Sequence, residues 1–483
     1  MMRAFIPFAL LMATALGACS LQPKYVRPAA PVPPSWPKGA AYVEPGDAAA
    51  LPSVDYRDIF RDPKLQAVIG QALANNRDLR IAAANVAAAR GQYRVQRAER
   101  LPRIVAGADA SVARTSGNGG GANGTSGAAR TSDRYSVDLG MAAFEIDLFG
   151  RVRSLTDAAL NDYFATEAVA RTARLALVAE TASAWLTLAA DRSLLAIAEA
   201  TEANAVRSVR LTRARLTGGI GTRIDLRQAE TILATARADV ASFTTQVAQD
   251  RNALELLVGA PVAEELLPLS IEAVDGGLAE LPVGLDSRIL LRRPDVAEAE
   301  FTLKAANARI GAARAAFFPS ISLTAVAGFA SGALDALFKE GAFNWSVAPS
   351  ATLPIFDGGA NRGNLATARA GRDRALAAYE LTIQTAFREV ADALARRSTI
   401  GREFAARSDL LAAASDNYRL SDARYRSGLD SFLASLDAQR TLYGAQQSVV
   451  AARLIRADNL VTLYRVLGGD ARVEEGAFGP AGR

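Results

Sequence analysis

The chain has 483 residues, half of them hydrophobic, with 55 basic and 50 acidic residues for a formal charge of +5, a single cysteine and no histidine. Without histidine the usual general base near neutral pH and the commonest metal ligand are missing, so neither an enzyme nor a metal centre is expected. Charges of both signs are interspersed along the helical stretches, which argues against nucleic acid as a partner, and abundant alanine favours long, closely packed helices.

Residues 1–18 read as a signal peptide. Met1, Met2 and Arg3 give a positive start, and the apolar run Ala4 to Leu16 falls short of the roughly 20 residues that span a bilayer. It ends in Leu16-Gly17-Ala18-Cys19, the pattern of a lipobox, which directs covalent lipid to Cys19 and cleavage before it. That lipid is the one attached group expected, with no other cofactor. Ser20, rather than an aspartate, favours transfer to the outer membrane. Residues 19–62 carry Pro23, Pro28, Pro31, Pro33, Pro34 and Pro37 and are expected to form an extended tether. No later apolar stretch is long enough for a membrane helix, so any crossing must use strands closed into a barrel.

The rest of the chain is a duplication. Arg215-Leu216-Thr217-Gly218-Gly219-Ile220 returns about 209 residues later as Arg424-Tyr425-Arg426-Ser427-Gly428-Leu429, and the helical patterns that follow end alike at Gly259 and Gly468. Leu101-Pro102-Arg103-Ile104 corresponds to Phe318-Pro319-Ser320-Ile321, each proline breaking a helix and opening a strand. The first repeat is set at 63–259 and the second at 286–468, with a linker at 260–285 and a tail at 469–483. Each half reads helix, strand, strand, long helix, turn, helix.

Strands are expected at about 103–115, 132–147, 319–331 and 343–357. Tyr135-Ser136-Val137-Asp138-Leu139-Gly140-Met141 alternates with period two, and a strand of about ten residues suits a tilted membrane crossing. The glycine-rich run 116–124 reads as an external loop. Four strands cannot close a barrel, and an open edge in lipid is forbidden, so several copies must share one. Arg151 to about Thr217 has no proline and would form a helix on the order of 100 Å. Its counterpart is Gly358 to Arg426, and the return helices are Arg223 to Val258 and Ser431 to Leu467.

Over about residues 55 to 470 the chain resembles the TolC-like outer-membrane efflux factors, in their lipoprotein, NodT-type branch serving resistance-nodulation-division (RND) pumps. The most specific segments are Phe144-Glu145-Ile146-Asp147-Leu148-Phe149-Gly150-Arg151, Arg292-Arg293-Pro294-Asp295-Val296, Ala316-Phe317-Phe318-Pro319, Leu353-Pro354-Ile355-Phe356-Asp357-Gly358-Gly359 and Leu436-Asp437-Ala438-Gln439-Arg440. The resemblance implies a mainly α fold with membrane β. Three protomers, each giving four strands, would form a twelve-stranded β-barrel continuous with a periplasmic α-barrel. It also implies an outer-membrane location, a periplasmic adaptor and an inner-membrane RND-type transporter as partners, and passive conduction without covalent chemistry.

From that resemblance Asp437 corresponds to an inward carboxylate ring at the periplasmic entrance, and Leu433 to an apolar constriction one turn earlier. Arg440, one turn onward, is placed to compensate the charge, against the plain reading of a solvated helix pair. In the first repeat Gln228 stands where Asp437 does, and Asp225 lies one turn before it. Gly219 and Gly428 supply the helix turns. Beside them, Arg215, Leu216, Arg424 and Tyr425 are candidate adaptor contacts. Glu145, Asp147 and Arg151 read as charges at a helix entry rather than an acid catalyst. The alternatives are a type I protein-secretion duct and a surface-anchored structural lipoprotein with a coiled-coil stalk.

Overall fold

The computed structural model describes residues 20–42, 55–115, 130–274 and 287–469. The signal peptide, Cys19, the 116–124 loop, the later part of the linker and nearly all of the tail lie outside the described residues. The main elements are α1 (Pro63–Asn75), α2 (Arg77–Ala98), β1 (Ile104–Thr115), β2 (Arg130–Glu145), α3 (Arg151–Thr217), α4 (Arg223–Val258), α5 (Pro294–Ala315), β3 (Ser320–Ser331), β4 (Phe343–Thr352), α6 (Ala360–Arg426) and α7 (Phe432–Val466). They divide into two compact units.

The first unit holds the sheet and the helix segments next to it. Its four strands run antiparallel in the order β1-β2-β3-β4. The strand β4 ends at Thr352, short of the expected 357, because Pro354 follows and has no N–H to continue a ladder. One extra residue enters β2 between Met141 and Phe144, where the register against β3 shifts, and Ala143 takes a φ of 47° with its N–H on Thr324 Oγ1 at 3.1 Å. Small residues let α3 and α5 pack closely through Ala158, Ala305 and Ala308.

Residues 20–28, expected as part of a tether, are fastened along α5. Arg314 donates to the Leu21 carbonyl at 3.2 Å and Asn307 to the Pro23 carbonyl at 2.7 Å. Tyr25 and Arg27 donate to the buried Glu300, Arg27 through two bonds of 3.0 and 2.8 Å, and Lys304 joins at 3.0 Å. Burial pushes the Glu300 carboxyl up, and these donors overcome it and hold it below its ordinary value.

The second unit is helical, built on most of α3, α4, α6 and α7 with α1 packed in. The two 67-residue helices would each extend about 100 Å at 1.5 Å per residue. Its core includes Phe60, Leu65, Ile69, Trp185, Tyr379 and Ile383. The described part of the linker belongs to this core, since Leu267 is buried and Trp185 Nε1 donates to the Leu266 carbonyl at 3.0 Å. Residues 33–41 are fastened here too: Ser287 Oγ donates to the Pro33 carbonyl, Trp36 stacks on Phe387, and Ser398 donates to the Ala41 carbonyl.

Candidate functional site: a two-faced sheet and paired helical tips

Residues opposite one another in an antiparallel pair share a face, so the registers sort the sheet into two sides. On one side lie Ile104, Ala106, Ala108 and Val112 of β1, Tyr135, Val137, Leu139 and Met141 of β2, Ala325, Ala327 and Phe329 of β3, and Phe343, Trp345 and Val347 of β4. On the other lie Gly107, Asp109, Ser111, Ser136, Asp138, Ser322, Thr324, Asn344 and Ser346. One face suits acyl chains and the other water. Trp345, 68% exposed, and Phe343 point outward at one end of the sheet, where Phe329 meets Phe343 and Phe338 edge-on. Such aromatics fit the interface of a bilayer. Among the described residues the outer edges of β1 and β4 have no strand partner.

Where strand passes into helix, Arg151 holds Glu145 through bonds of 2.9 and 2.5 Å, and Asp147 accepts from the Arg153 N–H at 2.7 Å. Phe149 stacks on Phe318 with ring centroids 4.7 Å apart. A cavity of about 400 Å³ here is bordered by Ile146, Phe318, Pro354 and Asp357 among others. Asp357 accepts from the N–H groups of Asn361 and Gly359, both at 2.8 Å, which lower its carboxyl below the ordinary value. These carboxylates serve helix entry.

The two hairpin tips fold alike because both need a left-handed residue, Gly219 at φ 76° and Gly428 at φ 78°. The hydrogen bonds repeat: Gly218 to Ala214 and Ile220 to Arg215 in one tip, Ser427 to Ala423 and Leu429 to Arg424 in the other. Tyr425 is buried with Phe432, Leu436, Val209 and Ala229, and the Arg215 guanidinium lies 4.7 Å over its ring. Of the adaptor candidates, Arg215 and Leu216 are half-buried, Tyr425 points inward, and Arg424 is exposed but held by Asp430 at 2.6 Å. Ile220 and Leu429, each directly after a turn glycine, are 77% and 69% exposed. Sequence reasoning did not single them out; the signal was an apolar residue at the same place in both turns.

Leu433, Asp437 and Arg440 share one exposed face of α7, three to four residues apart. Among the described residues no ion pair joins Asp437 to Arg440. Asp225 is otherwise engaged, closing a capping box with Thr222 at the start of α4. A cavity of about 580 Å³ between α4 and α7 is bordered by Leu433, Arg440, Asp239 and Tyr443 among others. Arg293, in one of the segments that carry the family resemblance, is buried and donates to the Val466 carbonyl at 2.8 Å while pairing with Asp295 and Glu389 at 2.6 and 2.8 Å.

A sheet with one lipid-suited face, leading directly into helices of this length, defines a membrane channel of the outer-membrane type. The sequence profile of the family described as outer membrane efflux protein matches residues 68–260 and 285–469. The solvent efflux pump outer membrane protein SrpC of Pseudomonas putida is 44% identical over 97% of this chain and 98% of its own length. The outer membrane protein OprJ of Pseudomonas aeruginosa is 44% identical over 96% of each chain. Among solved structures, the open state of the Neisseria gonorrhoeae MtrE outer membrane channel superposes with a TM-score of 0.82 at 37% identity, covering 94% of this chain and 99% of that one. The chain belongs to the outer membrane efflux protein family: it is an efflux channel of the outer membrane, and its function is conduction rather than catalysis.

Proposed function

We propose that this protein is the exit duct of a tripartite pump, in which three copies share one twelve-stranded barrel. The observation that carries the reading is the unclosed sheet. Four strands with a lipid-suited face and two open edges satisfy their backbone in a bilayer only by joining other copies. A periplasmic adaptor docks on the paired tips, where Ile220 and Leu429 offer apolar contacts, and an RND-type transporter supplies the energy. Lipid on Cys19 anchors the chain. The cargo is small toxic compounds, in line with SrpC being named for solvent efflux.

In this reading the Leu433, Asp437 and Arg440 face turns toward the threefold axis and closes the entrance. Three converging carboxylates repel one another in a narrow pore, so Arg440 from a neighbouring copy or captured cations must compensate. The test is conductance of the purified protein in a planar bilayer, wild type against Asp437→Ala. Low wild-type conductance that rises several-fold in the variant supports the gate. High conductance in both removes the gate role of Asp437, and none in either removes the duct.

A further inference from the structure

The first repeat makes inside the chain a contact that the second repeat leaves half-made. Phe149, after β2, stacks on Phe318, which stands directly before the proline that opens β3, the next strand. The matching residue after β4 is Phe356, and the residue matching Phe318 is Leu101, before Pro102 and β1. Phe356 is 91% exposed and Leu101 is 70% exposed. Among the described residues of one chain β4 has no next strand, and β1 has none before it.

Resting on the reading that copies share a barrel, we infer that Phe356 of one copy packs on Leu101 of the neighbouring copy, sealing the foot of a β4–β1 junction whose register the internal repeat sets. The strand residues of the two halves match at an offset of 217 for β1 and β3, and of 207 for the segments ending in Phe149 and Phe356. Carried across these offsets, the pairing of Glu145 with Ser322 sets Thr352 opposite Val105 of the neighbouring copy. The same register brings Trp345 opposite Val112.

An independent check comes from the two faces. On β4 the apolar face carries the odd-numbered residues, and on β1 the even-numbered ones. The register derived from the repeat joins odd to even, so the lipid-suited face continues unbroken across the junction. A slip of one residue would set Trp345 against Ser111, on the polar face. The helices α3 and α6 begin 209 residues apart, two more than the preceding phenylalanines, and the second half takes up that difference in the Gly358-Gly359 turn.

The test is oxidative cross-linking of the full-length Leu101→Cys/Phe356→Cys variant in native membranes, read on non-reducing gels, with native mass measured in parallel. The expected result is a covalent trimer that reductant dissolves, absent from either single variant. Phe149→Cys/Phe318→Cys, the internal equivalent, should cross-link without a gain in mass. A native trimer whose Leu101→Cys/Phe356→Cys chains stay monomeric on the gel overturns the seam while leaving the shared barrel standing. A native monomer overturns the shared barrel itself. Strong quenching of a fluorophore on Phe356→Cys by nitroxide-bearing lipids would place this residue in the bilayer and also overturn the seam.

Discussion

Tyr443 donates a hydrogen bond of 2.9 Å to Asp239, joining the return helix of the second hairpin to that of the first. Burial and the neighbouring carboxylate both push the phenol well above its ordinary value, so it stays a donor at any physiological pH. Hydrogen bonds to charged groups contribute about 1.5–3 kcal/mol. Tyr443→Phe is therefore expected to free α7 from α4 and raise the bilayer conductance, with the trimer intact by native mass. Unchanged conductance would show that this bond does not hold the tip.

Asp250 of α4 faces Asp191 of α3, and burial followed by the Asp191 carboxylate raises it to about 7. The folded chain therefore binds a proton that the unfolded chain releases at roughly pH 4. Its stabilising effect is complete below that value, declines as pH rises, and is gone once pH has passed about 7. The thermal midpoint of the wild type should fall over this interval, and that of Asp250→Asn should fall less. Parallel curves would refute the raised Asp250 carboxyl.

Removing Arg293 leaves the buried Val466 carbonyl without this donor and takes the cation from Glu389 and Asp295, whose side chains are partly exposed. Leaving a buried carbonyl unsatisfied costs about 1–3 kcal/mol, so Arg293→Met should lower the thermal midpoint by several degrees. Arg293→Lys, keeping the charge but not the fork, should fall between. A midpoint within a degree of wild type in Arg293→Met would contradict the role.

Cys19→Ser should abolish labelling by radioactive palmitate. Persistence of a labelled band would end the lipoprotein assignment.

The membrane strands were legible because lipid and water impose strict alternation, and Tyr135, Val137, Leu139 and Met141 keep it. The bulge was written there too: the apolar residues move to even numbers at Phe144 and Ile146, and Ala143 absorbs the change. The tip turns were legible because only glycine sits easily at φ near 77°. What stayed hidden depends on distant partners. Nothing local shows that Tyr425 folds under Arg215 or that Asp250 meets a residue on another helix. The proline-rich segment has no hydrophobic period to read, so its docking on Glu300 and Asn307 left no mark in the pattern.

That docking gives the N-terminal segment a mechanical meaning. The Leu21 carbonyl is fixed to Arg314, one residue from the end of α5 and six before Ser320 opens β3. Cys19 is two residues away, and an extended chain covers at most about 7 Å over that distance. Acyl chains on Cys19 would thus hang from the foot of the sheet on almost no slack. Anchor and strands would read the same leaflet from one rigid point, and the lipid would act as a depth gauge for the barrel rather than a leash.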